Sequence, residues 1–135
     1  MNLKKIWENA VEEHNSGDYH EAHELFEDLW LELDDRQEKD TVQTLAQADA
    51  LAVHIKTGNM RAAQRLMRQL PELIQTFPSS YNGLDLTKMK VWIKDMIVNN
   101  ERFLSVKGLD YFDRGQFKWW TKWLDPVKEM KKDLD

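Results

Sequence analysis

The chain has 135 residues, of which 41% are hydrophobic and 32% are charged, and its formal net charge is −5. This length and composition predict a single soluble domain over residues 1–135 with a core of its own. The absence of cysteine excludes disulfides, thiolate metal sites and cysteine nucleophiles, and no apolar run approaches the roughly 18 residues of a membrane span.

Charge is distributed unevenly along the chain. Residues 1–40 contain 4 basic and 13 acidic side chains, a net charge of −9, whereas residues 41–135 contain 15 basic and 11 acidic ones, a net charge of +4. An acidic first third repels phosphate backbones, which argues against nucleic-acid binding. The first residues lack the continuous apolar stretch of a secretory signal, so we expect a cytoplasmic protein that has no membrane partner.

Apolar residues recur at helical spacing along the chain, and no segment shows the convincing alternation of a strand. The predicted helices cover residues 2–15, 19–33, 37–57, 59–76 and 85–105, with a short aromatic helix near 115–124. Pro71 lies inside the fourth helix and predicts a kink or a break there. The sequence therefore predicts an all-α fold, a compact bundle of five to six helices.

Two segments share a pattern that suggests antiparallel helical hairpins. "GDYHEAHEL" begins at Gly17 and "GNMRAAQRL" at Gly58, and both place Ala and Leu at the same distances from the glycine. Gly17 is expected to cap the first helix, and Asp18 to begin the second with Glu21 three residues later. The pattern favours stacked helix pairs.

The third predicted helix is apolar on almost every side. From Thr41 to Ile55 its one charged side chain is Asp49. A helix of this composition is expected to be buried at the centre of the fold, where polar groups need partners. Gln43, Gln47 and His54 fall on one side of it and form a narrow polar stripe.

The second predicted helix carries polar groups beside its apolar stripe. His23 lies at the edge of that stripe, Glu27 follows one turn later, and the indole of Trp30 needs an acceptor if it is buried. We expect these three side chains to face Gln43, Gln47 and His54 on the third helix. His20 is expected to face solvent, and His14 to lie in the core or at its edge.

These segments resemble a small helical family, the domain of unknown function 309. The family pattern is an aromatic residue followed by E-A-H-E-x-x-E-x-x-W, then a Q-G-x-x-Q helix that ends in His before Gly-Asn. The matching positions are Tyr19, Glu21, Ala22, His23, Glu24, Glu27, Trp30, Gln43, Gln47, His54, Gly58 and Asn59. The family-like core covers about residues 10–75, and residues 77–135 are not matched.

The chain departs from this family pattern at two positions of the third helix. Thr44 stands where glycine usually follows the first glutamine, and Asp49 stands where a small apolar residue is expected. Both substitutions bear on how closely the helices approach. The resemblance implies a compact helical bundle similar to tetratricopeptide hairpins, and it implies no activity.

The residues His23, Glu24, Glu27 and His54 admit two interpretations. "HEAHELFE" contains H-E-x-x-E, similar to a metalloprotease helix, so His23, Glu27 and His54 are candidate metal ligands and Glu24 a candidate base. The alternative is a structural hydrogen-bond network of His23, Glu24, Glu27, Trp30, Gln43, Gln47 and His54. The second interpretation is the favoured one, since buried polar groups are commonly satisfied in this way.

Two further segments suggest contacts. Trp119, Trp120 and Trp123 alternate with lysines, a pattern found in nucleic-acid and membrane-interface segments. Residues 107–135 carry 7 basic and 6 acidic side chains, so docking onto the bundle or onto a protein is favoured. Three arginines form a basic stripe on the fourth helix: Arg61, Arg65 and Arg68.

The sequence thus favours a non-enzymatic helical module that binds a protein partner or forms a homodimer, with no cofactor and no nucleic-acid or membrane partner. The alternative is a small metal-dependent or acid–base hydrolase that uses His23, Glu24, Glu27 and His54. Whether the protein is an enzyme is left open by the sequence.

Overall fold

The computed structural model describes residues 2–100, which form five α-helices and one short β-hairpin. The all-α class predicted from the sequence is confirmed. The helices are α1 (Leu3–Ser16), α2 (Tyr19–Glu32), α3 (Arg36–Thr57), α4 (Met60–Gln75) and α5 (Leu86–Asn99). The aromatic helix expected near 115–124, the tryptophans at 119, 120 and 123, and the end of the fifth predicted helix beyond residue 100 lie outside the described residues.

Each of the five helices begins at an Asn or Asp whose side chain accepts a hydrogen bond from a backbone N–H of the first turn. The N-cap residues are Asn2, Asp18, Asp35, Asn59 and Asp85. Such caps satisfy N–H groups that have no partner within the helix and stabilise each helix by about 1 kcal/mol. Gly17 and Gly58 end α1 and α3 in the left-handed region, as the sequence predicts.

Two features of the second half differ from the sequence prediction. The helix α4 runs through Pro71, which is buried, so of the predicted kink or break the break does not occur. The sequence shows no convincing strand, yet the segment between the fourth and fifth predicted helices contains most of an antiparallel hairpin formed by β1 (Ser80–Tyr81) and β2 (Leu84–Asp85). Asn82 and Gly83 form its turn with φ values of 46° and 84°, and strands of two residues are too short to show an alternating pattern.

The chain divides into two compact units, one ending at Gly58 and the other beginning at Asn59. In the first unit α2 packs along both α1 and α3. Its core includes Trp7, Ala22, Phe26 and Leu29, and the rings of Trp7 and Phe26 lie 5.8 Å apart at a tilt of 59°. A ring pair of this kind stabilises the fold by about 1 kcal/mol beyond the area that it buries.

The helix α3 contributes eight buried residues, which agrees with its apolar sequence. They are Thr41, Val42, Thr44, Leu45, Ala46, Ala48, Asp49 and Leu51. The two threonine hydroxyls donate to backbone carbonyls one turn earlier, at 2.9 and 2.8 Å, so both are satisfied within the helix.

The second unit is described here from Asn59 to Asn100. Its helices α4 and α5 pack against each other, and α5 also contacts β1. The buried side chains of α4 recur at helical spacing and include Ala63, Met67, Leu70 and Ile74, whereas Arg61 and Arg65 are exposed on the other side. The single-domain organisation and the tetratricopeptide-like packing stay predictions.

Candidate functional site

His23 lies between α2 and α3, where it joins the two helices. Its Nδ1–H donates to the backbone carbonyl oxygen of Ala46 at 2.8 Å. A carbonyl accepts and never donates, so this contact places the proton on Nδ1. The other ring nitrogen, Nε2, lies 3.3 Å from Oε1 of Glu27, one turn along α2. In the imidazolium form the ring donates at both ends.

The two carboxylates predicted beside His23 lie on the outside of the helix. Glu24 is exposed, and the side chain of Glu27 is 56% exposed against 22% for that of His23. Glu27 therefore lies outside a buried network, because a step of four residues moves its side chain outward from the edge of the apolar stripe. Its contact with His23 lies at the surface and is an ion pair only when the ring is protonated, so it contributes little to stability.

The neighbour of Trp30 on α3 is a lysine, and not the hydrogen-bond acceptor that was expected for its indole N–H. Trp30 is half-buried, and Nζ of Lys39 lies 4.7 Å from the centroid of its ring, within cation–π distance. His23 meets α3 at Ala46 and Trp30 meets it at Lys39. From the first contact to the second, the chain advances seven residues along α2 and goes back seven residues along α3. The two helices are therefore antiparallel in this register.

This register explains why the polar stripe predicted on α3 does not meet His23 as a group. Gln43 is exposed, which contradicts its predicted burial, and Gln47 and His54 are half-buried. His54 lies two turns beyond Ala46, roughly 12 Å along the helix axis. The Oε1 atom of Gln47 is buried and has no hydrogen-bond partner among the described residues.

The structure adds a pair of residues that the sequence did not assign to the site. The Nδ1 atom of His14, on α1, lies 2.6 Å from Oδ1 of Asp49, on α3. Asp49 is completely buried and His14 is 11% exposed. The other carboxyl oxygen of Asp49, Oδ2, has no hydrogen-bond partner among the described residues. The ring of Tyr19, from α2, packs edge-on against His14 with the centroids 5.4 Å apart.

A signal for this pair was present in the sequence. Asp49 is the one charged side chain in a segment of fifteen residues that is otherwise neutral, and such a residue needs a partner. His14 continues the apolar face of α1. Asp49, one of the two residues that depart from the family pattern, is therefore the one that binds α1 to α3.

Burial has the largest influence on the pKa of the Asp49 carboxyl. Removal of water raises the pKa of its carboxyl above the ordinary value of 3.8, and this effect is larger than the opposing influence of the hydrogen bond and charge of His14 and of the charge of His23. The three side chains come from α1, α2 and α3, so the charged groups that influence Asp49 lie at the meeting point of the three helices.

Comparison with known proteins agrees with the resemblance seen in the sequence. Residues 7–66 match the family model described as Domain of unknown function (DUF309). The match starts at Trp7 and ends at Leu66, so it includes His14, His23 and Asp49. The resemblance predicted from the sequence is confirmed, and the family description assigns no activity.

A relative from Aquifex aeolicus (strain VF5), described as "Uncharacterized protein", is 25% identical to this chain over 88 residues. The match covers 64% of this chain and 26% of the relative, so the chain spans about a quarter of that protein. No solved structure matches the chain. Within residues 2–100 no helix is both long enough and apolar enough to cross a membrane.

The geometry around His23 does not assemble the predicted metal ligands. Among the described residues no three His, Asp or Glu side chains are grouped so that they could hold a metal ion. The candidate ligands His23, Glu27 and His54 do not come together, because the register of α2 and α3 separates His54 from the other two. The arrangement instead ties helices together through two imidazoles.

A half-open groove lies beside this cluster, at the turn between α1 and α2. It has a volume of about 530 Å³. Its lining residues come from that turn and from the end of α3: Ser16, Gly17, Asp18, Tyr19, His20, Val53, Lys56 and Thr57. Tyr19 connects the two features, since it lines the groove and also packs against His14. His20, predicted to face solvent, is exposed.

Proposed function

We propose that this protein is a cytoplasmic, non-enzymatic protein-interaction module, and that the outer face of α2 binds a basic surface of another protein molecule. We define the α2 outer face by five exposed residues: Glu21, Glu24, Asp28, Leu31 and Glu32. The contacts of His14 and His23 with α3 support the non-enzymatic part of the proposal, since both imidazoles are used to join helices.

The observation that carries the proposal is the unbalanced charge of this face. Glu24 precedes Asp28 by four residues, and Asp28 precedes Glu32 by four, so like charges are adjacent on the helix. Each such pair destabilises a helix by roughly 0.2–0.5 kcal/mol. No basic side chain among residues 2–100 forms an ion pair with these carboxylates. A basic partner would relieve this repulsion.

Leu31 gives this face an apolar contact point. Its side chain is 66% exposed, the largest exposure among the large hydrophobic residues that the structure describes. Protein interfaces combine apolar residues at their centre with a polar rim, and Leu31 beside the four acidic residues of this face would suit such a contact. A second copy is one available partner, because residues 59–135 carry 14 basic and 10 acidic side chains, a net charge of +4.

Site-specific photo-crosslinking in cells tests the proposal. A crosslinking amino acid is placed at Leu31, and the control is placed at Glu8, an exposed acidic position on α1. We expect a discrete crosslinked protein from position 31 that is absent from position 8, and mass spectrometry distinguishes a second copy from another protein. The crosslink should weaken in the double variant Glu24→Gln/Asp28→Asn.

The matched control for that variant is Glu8→Gln/Glu12→Gln, which removes the same charge from an exposed i, i+4 pair on α1. Charge steering by the whole protein would weaken the crosslink equally in both variants. Equal loss, or the same crosslinked products from positions 31 and 8, would contradict the proposed role of the α2 outer face.

A further inference from the structure

The pair formed by His14 and Asp49 contains a buried ionisable carboxyl, which a contact between two helices does not need. It joins the end of α1 to the middle of α3, across 35 residues of sequence, through one hydrogen bond of 2.6 Å. An apolar pair of the same size would join these helices with no buried ionisable group, and replacement of a buried ion pair by apolar residues is often neutral or stabilising. The chain nevertheless places a carboxyl at this point.

We propose that His14 and Asp49 form a proton-dependent latch: closure of the end of α1 against α3 retains a proton on the pair, and a rise in pH releases that end of α1 together with the turn before α2.

The surroundings of the carboxyl provide the physical basis. Asp49 is completely buried, and Oδ2 has no hydrogen-bond donor within residues 2–100. The titratable groups that influence it are His14 from α1 and His23 from α2, with Tyr19 of α2 against the ring of His14. On α3 itself no other charged side chain occurs between Asp40 and Lys56, although His54 can titrate. An ionised carboxyl here is therefore poorly compensated.

The direction of the pH effect follows from linkage. Burial raises the pKa of Asp49 above 3.8 in the closed state, whereas the open state returns the carboxyl to water. Between pH 3.8 and the raised pKa of Asp49, the closed state therefore binds more protons than the open state. Its stability is greatest below pH 3.8 and is lost as the pH rises through the raised pKa of the closed state.

Opening of the latch would also change the lining of the groove between the α1–α2 turn and the end of α3. Tyr19 packs against His14 and also lines the groove at the turn between α1 and α2. The backbone of this turn offers two probes, since the N–H of Gly17 donates to His14 O at 3.1 Å and the N–H of Asp18 donates to Glu13 O at 2.9 Å. Both hydrogen bonds close the end of α1, so their opening reports its release.

Hydrogen exchange of these two amides in the full chain tests the proposal. Rates are measured from pH 4 upward and corrected for intrinsic exchange. In the wild type we expect the opening equilibrium to rise by up to tenfold per pH unit within the window in which Asp49 loses its proton. In Asp49→Asn, which retains an acceptor for His14 without the ionisable carboxyl, the corrected protection should be independent of pH. Amides of Ala63 and Leu66 on α4 are the internal control.

A second measurement applies even if Asp49→Asn does not fold. The carboxyl carbon of Asp49 is followed by NMR in the wild type, and its titration should coincide in pH with the loss of protection at Gly17 and Asp18. Protection that is constant across the titration of Asp49, or a pH dependence that persists in Asp49→Asn, would overturn the latch. Neither result depends on whether the α2 outer face binds a partner.

Discussion

The first unit and the described part of the second unit both consist mainly of α-helices, and they differ in how polar groups are used. In residues 2–58 two imidazoles cross between helices, one to the carboxyl of Asp49 and one to the carbonyl of Ala46. In the described part of the second unit, residues 59–100, the buried side chains are apolar except for Gln64. The first unit therefore specifies its register by directed bonds, and the second by the pattern of apolar residues.

Apolar contacts and directed hydrogen bonds make different contributions to a helix pair. Apolar contacts are strong but not directional, so α4 and α5 gain stability from any register that buries their stripes. A hydrogen bond from His23 to one chosen carbonyl discriminates between registers one turn apart, although its net contribution to stability is modest. Buried polar groups also make the first unit sensitive to pH, which a purely apolar core is not.

The largest expected effect comes from core truncation and should be similar in both units. Phe26→Ala in α2 and Ile93→Ala in α5 each remove a side chain that is at most 1% exposed. We expect each to lower the free energy of unfolding by roughly 3–5 kcal/mol, through lost transfer energy and a residual cavity. Chemical denaturation monitored by circular dichroism measures both. A negligible effect of either variant would show that its side chain is not in the core.

The next effect belongs to the first unit alone. His14→Ala removes the partner of the Asp49 carboxyl in the closed state of the pair and should cost roughly 1–3 kcal/mol where that state is populated, the penalty for a buried polar group without a partner. Because burial raises the pKa of Asp49 and the closed state is lost above that pKa, the cost should be greatest in acid and should decrease as the pH rises. Denaturation curves at several pH values measure it. The double variant His14→Ala/Asp49→Ala should recover much of the loss, and a cost that is independent of pH would argue against the titration of Asp49 in this pair.

A smaller effect is expected at His23. His23→Ala removes the hydrogen bond to Ala46 and should lower the free energy of unfolding by roughly 1 kcal/mol, since the Ala46 carbonyl retains its place in the helix. His20→Ala is the matched control, because His20 is an exposed histidine on the same helix. Thermal unfolding of both variants checks the difference. Equal melting temperatures would mean that the bond to Ala46 stabilises nothing.

The smallest effect has the opposite sign. Glu24→Gln/Asp28→Asn removes a repulsive pair from the exposed face of α2 and should raise the free energy of unfolding by a few tenths of a kcal/mol. The gain should disappear at high salt, where surface charges are screened. Thermal unfolding at two ionic strengths measures it. A loss of stability at low salt would indicate that these carboxylates have attractive partners.

Much of the fold could be predicted from local signals in the sequence. The helix boundaries agree within one residue for α1 and within one for α2, because Gly17 and Asp18 are strong stop and start residues. The hairpin around Asn82 and Gly83 could not be identified by alternation, since each strand has two residues. Pro71 is buried within a continuous α4, so the local tendency of proline to break a helix does not decide the structure there.

The site was harder to predict because it depends on the register between helices. The sequence identifies His23 as a residue beside the apolar face, but it does not state which turn of α3 lies opposite. Gln43 and His54 share a side of α3 with Gln47, yet the antiparallel register places Ala46 and Lys39 against α2 instead. Asp49 was recognisable as a charge that needs a partner, and its partner on α1 required the structure.

Nitrogen-15 NMR of the histidine rings tests the central claim most directly, namely that imidazoles bind α1 and α2 to α3. If the claim holds, the His23 ring carries a proton on Nδ1 that exchanges slowly with water and shows a through-hydrogen-bond coupling or NOE contact with the Ala46–Gln47 peptide. An Nε2-protonated ring that exchanges rapidly, with no contact to that peptide, would contradict the account.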